Sequence, residues 1–276
     1  MNRTLVVLAV LFRLAIPWAW LALPVIALGQ PDAADGQKAF FDNWRQAMLA
    51  GDEAKAKQLA LSDPETGQKV AQRVGVEARG AFKGGDKQRA LALFTVTQHL
   101  FEHLGDKEGI AIASSDLGTY HASAGECPLA LPQLVRASGL LRELSLLDRR
   151  AIAAHGIQRC VMELAVADPS APSVNLKVSP EGEQVIVYNR QWCKEAGMEV
   201  CGFYLVHEYA HIFLGHATNR VSSNRSEPEA DCWAAKHASL EWTKAAHAWF
   251  AGGAPSPALH VRSAARAEAI RRCGGF

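Results

Sequence analysis

The sequence predicts a mainly α-helical chain that closes in a small α+β part. Up to about residue 165, apolar groups recur at helical spacing between glycine-rich breaks. Two short runs rich in β-branched residues follow near residues 174–188. The helical pattern then returns and carries two histidines four residues apart. At 276 residues the chain is long enough for one large domain or two modest ones.

The first 29 residues stand apart. Met1-Asn2-Arg3 gives a positive start, and an apolar stretch from Leu5 to Leu28 follows, broken by Arg13 and ending in Ala27-Leu28-Gly29. The composition turns polar at Gln30, Asp32 and Asp35. Residues 1–29 therefore read as a secretory signal peptide. Residues 4–29 are also long enough to span a bilayer, so a retained anchor is the competing reading, although Arg13, Pro17 and Pro24 disfavour a spanning helix. Membrane attachment is expected only if this segment is retained. Either way, the expectation is an exported protein, periplasmic or secreted.

Residues 30–168 are expected to form the helical region. Phe40, Phe41, Trp44 and Met48 mark a helix over 36–49. Helices over 65–83 and 86–103 are separated by Gly84-Gly85-Asp86, and Gly105-Asp106 precedes another over 107–122. After Gly125-Glu126-Cys127-Pro128, one helix runs to about 146 and one from 148 to 165. Leu104-Gly105-Asp106-Lys107 returns loosely as Leu146-Leu147-Asp148-Arg149, 42 residues on. In about two loose copies, this region resembles tetratricopeptide repeats of the longer-period kind; a plain helical bundle fits the pattern equally well. The repeat reading implies a surface for a protein partner. His99, His103, His121 and His155 fall here and read as structural or surface groups.

Asp168-Pro169-Ser170-Ala171-Pro172-Ser173 is a linker, and residues 169–276 form the second part. Val174–Val178 and Gln184–Tyr188 read as a hairpin around Pro180-Glu181-Gly182. Val185–Tyr188 is a candidate edge strand for an added peptide, with a purely structural hairpin as the alternative. A helix starts near 191, the histidine helix spans 200–214, another spans 228–250, and a short one covers 261–272.

Charge and cysteines narrow the class. The formal net charge is +1 with 21% charged residues, so no global basic field draws in nucleic acid. Six cysteines all lie well after the apolar start. In an exported chain they are expected as disulfides, and no C-x-x-C pair suggests a thiolate metal site. Six cysteines allow fifteen pairings; Cys127–Cys160, Cys193–Cys201 and Cys232–Cys273 are the pairings expected here.

The chemistry concentrates in His207-Glu208-Tyr209-Ala210-His211. Residues four apart share one helix face, so both imidazoles can bind one ion. Zinc takes neutral imidazole nitrogens and, in catalytic sites, keeps a position open for water. Glu208 is expected beside that position as the proton acceptor. The apolar frame of Phe203, Leu205, Val206, Ile212, Phe213 and Leu214 argues against a solvated surface helix.

A second run, Ser226-Glu227-Pro228-Glu229-Ala230-Asp231-Cys232-Trp233, follows at the start of another expected helix. Together with His211-x-x-x-Gly215-His216, it resembles the gluzincin metallopeptidases, in particular the family of the CAAX prenyl endopeptidase, over about residues 184–240. The resemblance implies a compact zincin-like domain, one Zn2+, and peptide-bond hydrolysis of a peptide or protein substrate. It implies His207, His211 and Glu227 as metal ligands, with Glu229 as the alternative third ligand, Glu208 as the catalytic base and Asp231 behind a ligand histidine. Relatives place a histidine and a downstream arginine near the metal, which makes His260 and Arg266 candidate oxyanion stabilisers, although the proline that follows that histidine is missing here. The alternative function is a helical-repeat binding module whose metal site is structural or vestigial.

Overall fold

The computed structural model describes residues 31–216, 223–253 and 263–276. The expected signal or anchor segment and His260 lie outside the described residues. The described chain is mainly helical, with one three-stranded sheet. It divides into two compact units, one ending at Tyr120 and the other running from His121 to Phe276.

The first unit contains α1 (Pro31–Leu49), α2 (Glu53–Ser62), α3 (Pro64–Lys83), α4 (Lys87–Leu104) and most of α5 (Lys107–Ser123). Aspartates start its helices. Asp52, Asp63 and Asp86 each accept a hydrogen bond from a backbone N–H three residues on, relieving an end that lacks helical partners. Trp44, Leu93, Phe94 and Leu100 form the centre of its core. Inside that core Trp44 Nε1 donates to His103 Nδ1 at 3.1 Å, so the one buried histidine of α4 has a structural partner. Arg79 pairs with Asp116 at 2.7 Å and ties α3 to α5.

The second unit contains α6 (Cys127–Glu143), α7 (Leu147–Leu164), β1 (Val166–Ala167), β2 (Val174–Val178), β3 (Gln184–Tyr188), α8 (Arg190–Ala196), α9 (Met198–Phe213), α10 (Ser223–His237), α11 (Leu240–Ala251) and α12 (Ser263–Gly274). Helices α6 and α7, grouped by sequence with the helical region, fall in the same unit as the histidine helix α9. Three disulfides brace this unit: Cys127–Cys160 joins α6 to α7, Cys193–Cys201 joins α8 to α9, and Cys232–Cys273 joins α10 to α12. They fit an oxidising compartment. Among the described residues, no helix is long and apolar enough to cross a membrane.

The sheet order is β1-β3-β2. Strand β3 pairs parallel with β1 and antiparallel with β2, with Leu176 opposite Ile186. Val185–Tyr188 is therefore a central strand and not an edge. The outer strands are β1 and β2; β2 is the longer edge, and β1 covers β3 only at Val187 and Tyr188. A second difference concerns the helix expected over 228–250. It is two helices: α10 ends at His237, and Ser239 starts α11 by accepting from the Trp242 backbone N–H.

Helix α9 is buried on nearly every side, with Val200, Phe203, Tyr204, Leu205, Val206 and Ala210 all in the core. Gly202 lets α11 come close, since a Cβ there would lie 2.2 Å from the Trp242 ring.

Candidate metal centre

Helix α9 delivers His207 and His211 on one face, and α10 delivers Glu227. His207 Nε2 lies 3.1 Å from His211 Nε2. Glu227 Oε2 lies 3.3 Å from His207 Nε2, and Glu227 Oε1 lies 3.5 Å from His211 Nε2. Two ligand atoms held about 2.0–2.1 Å from a tetrahedral ion stand about 3.3–3.4 Å apart. The two imidazole nitrogens and the Glu227 carboxylate are therefore close enough together to share one metal ion. Among the described residues this is the group of three able to hold a metal.

The protonation pattern suits a cation-binding site. Burial opposes charge on His207, but Asp231 and Glu227 outweigh it and raise its pKa to about 9. Burial and the neighbouring His207 push His211 down to about 3. Two imidazoles and a carboxylate packed this closely favour a shared positive charge, a proton on His207 or a metal ion that takes its place.

Glu208 is half-buried beside the triangle. Burial raises its pKa to about 7, Glu227 adds to the rise, and His207 and a hydrogen bond from the Leu176 backbone N–H oppose it. That N–H belongs to the edge strand β2, so the sheet edge and the carboxylate face each other.

Asp231 sits behind His207. Its Oδ1 is 2.9 Å from His207 Nδ1, within ion-pair distance. Arg266 of α12 grips the same carboxylate twice, Nε to Oδ2 and Nη2 to Oδ1, both at 2.7 Å. Its guanidinium also stacks 4.3 Å over the Phe250 ring and reaches Glu227 at 3.8 Å. At 1% exposure, Arg266 is committed to the carboxylates of α10.

Glu229 points elsewhere. Its carboxylate accepts from Arg225 Nε at 2.9 Å and lies 3.2 Å from His216 Nε2. His216 Nδ1 lies in turn 3.0 Å from His211 Nδ1. Gly215 makes this possible: with φ +69 it turns the chain after α9, and His216 N–H returns to the His211 carbonyl.

The sequence places His216 in the same motif as His211 and does not show the link between their rings. The signal for it was Gly215, directly before His216. Sequence reasoning also missed Leu176, for which side-chain patterns give no signal, and Tyr204, whose buried hydroxyl has no hydrogen-bond partner and whose ring packs 6.1 Å from that of His207. Compared with protein-family models, curated proteins and solved structures, the chain gives no match.

Proposed function

We propose that this protein is a zinc-dependent metallopeptidase that hydrolyses peptide bonds of a peptide or protein substrate in the cell envelope or outside the cell. The observation that carries this reading is the ligand triangle of His207, His211 and Glu227 with the Glu208 carboxylate beside it. Three protein ligands are the usual complement of a catalytic zinc site, and a structural site usually has four.

Bound zinc would supply a Lewis acid that polarises the scissile carbonyl and makes water easier to ionise. Glu208 takes a proton from the attacking water and hands it to the leaving amine. Burial holds the Glu208 carboxyl above the usual carboxylate range, which favours the proton uptake this role needs. Asp231 and Arg266 hold His207 and Glu227 in place from α10 and α12. An extended substrate would pair with the edge of β2, since backbone pairing positions a peptide without regard to most of its side chains. The paired helices before residue 120 would offer a surface to a protein partner.

Metal analysis of the purified, disulfide-bonded protein, combined with digestion of a broad peptide library, tests this. The expected result is one zinc per chain and cleavage that a chelator removes and zinc restores. Zinc held without turnover would favour a binding module with a structural ion.

A further inference from the structure

The second unit brings together three basic side chains, none of which forms an ion pair with a carboxylate among the described residues. Arg142 lies in the last turn of α6, Arg150 in the first turn of α7, and His237 ends α10. Arg150 Nη2 donates to the Ala235 carbonyl at 3.4 Å, which holds its guanidinium against the end of α10. Three buried nitrogens in this group have no hydrogen-bond partner: Arg142 Nη1, Arg150 Nε and His237 Nδ1. His237 is only 8% exposed.

The charges around them share one sign. Burial lowers the His237 pKa to about 3, and the charges that lower it further, Arg150, Lys236 and Arg142, are all positive. Burial and Arg142 likewise lower the pKa of Arg150. Among the described residues neither arginine has a carboxylate partner. Residues 217–222 and 254–262 contain no Asp or Glu to supply one. Buried guanidinium nitrogens are normally matched by acceptors, and two arginines that each keep an unmatched buried nitrogen and lack a carboxylate partner leave a requirement for negative charge unfilled. The site is separate from the metal centre: ten residues of α10, about 15 Å of helix, lie between Glu227 and His237.

We propose that Arg142, Arg150 and His237 bind a phosphate-type oxyanion, either free inorganic phosphate or the phosphate of a lipid headgroup. The guanidinium forks suit its oxygens, and an imidazole with its proton on Nδ1 adds a third donor. The ion would join the turn between α6 and α7 to the end of α10. This inference does not depend on the proposed peptidase activity.

The test is titration of the intact, disulfide-bonded protein with inorganic phosphate, followed by calorimetry and by the 15N shifts of the His237 ring. The expected result is saturable binding of one ion, a shift at His237 and a higher melting temperature. Arg142→Gln and Arg150→Gln should each weaken binding about tenfold or more and abolish the phosphate-induced rise in melting temperature. Lys236→Gln, at an exposed position, should change affinity by about twofold or less. Vesicles of phosphatidylglycerol, compared with phosphatidylcholine, separate the two sources. Sedimentation with the anionic vesicles that both arginine variants lose assigns a lipid headgroup, and binding of free phosphate alone assigns the soluble ion. The proposal is overturned if neither probe binds saturably, if chloride at matched ionic strength has the same effect, or if both variants bind as wild type does. Should a variant fail to fold, the His237 shift in the unaltered protein still decides.

Discussion

His211 and His216 face each other through their Nδ1 atoms at 3.0 Å. One of these nitrogens must donate and the other accept. If His211 gives Nε2 to a metal, its proton sits on Nδ1, His216 accepts there, and the remaining His216 proton on Nε2 points to Glu229. His216→Ala is expected to weaken zinc binding by about 10–100-fold, the usual cost of losing a group that orients a ligand histidine. Glu229→Gln should weaken it less than Glu227→Gln does. Competition with a chromogenic chelator measures all three. Equal losses from the two glutamate variants would contradict the assignment of Glu227 as the ligand.

The Asp231–Arg266 pair is buried on both sides. Removing one partner strands the other charge in the core, so Arg266→Met should cost about 3–5 kcal/mol of stability. Adding Asp231→Asn should recover part of that loss, because the stranded charge disappears. Urea unfolding of the metal-free wild type, both single variants and the double variant gives the coupling directly. Additive effects would show that the two groups do not depend on each other.

The disulfides should differ in weight. In the chain-entropy picture their loops of 41, 33 and 8 residues correspond to about 4, 3.7 and 2.5 kcal/mol. Replacing Cys232 and Cys273 with alanine should therefore destabilise most. It should also reduce zinc affinity, since this bond holds α12, the helix of Arg266, against α10. Replacing Cys127 and Cys160 should lower stability and leave zinc affinity near wild type.

His237 predicts an acid-sensitive limb of the stability curve. The unfolded chain takes up a proton near pH 6.5, whereas the folded His237, buried beside Arg150, Lys236 and Arg142, resists it until about pH 3. The unfolded state binds more protons throughout that window, so stability is full above about pH 6.5 and falls as the pH drops towards 3. The loss from this group is on the order of 5 kcal/mol across the window. Urea midpoints measured in phosphate-free buffer should show it, and His237→Gln should flatten the slope. An unchanged slope in that variant would remove His237 from the account.

The residues that make contacts within one helix turn were legible in the sequence. That His207 and His211 share one helix face follows from their spacing, and the apolar frame of α9 predicts its burial. Features that depend on where distant segments meet were not legible. The order of β2 and β3 in the sheet is a tertiary property, since both strands have similar patterns. Arg266 meets Asp231 across 35 residues, and neither residue identifies the other in sequence. Helix α2 was missed because its buried groups are Ala56 and Ala60, too small to mark an apolar stripe. The break before α11 was missed because Ser239, and no glycine or proline, makes it; its hydroxyl accepts from the Trp242 N–H in the first turn of the new helix.

In the proposed mechanism Glu208 moves protons at a metal centre built from His207, His211 and Glu227. Its most direct test is the Glu208→Gln variant, assayed for zinc content and for hydrolysis of the best substrate from the peptide library. The prediction is an undiminished zinc stoichiometry with cleavage reduced by about 10²–10⁴-fold, the range for loss of a general base. Cleavage at the wild-type rate by a zinc-loaded Glu208→Gln protein would contradict it.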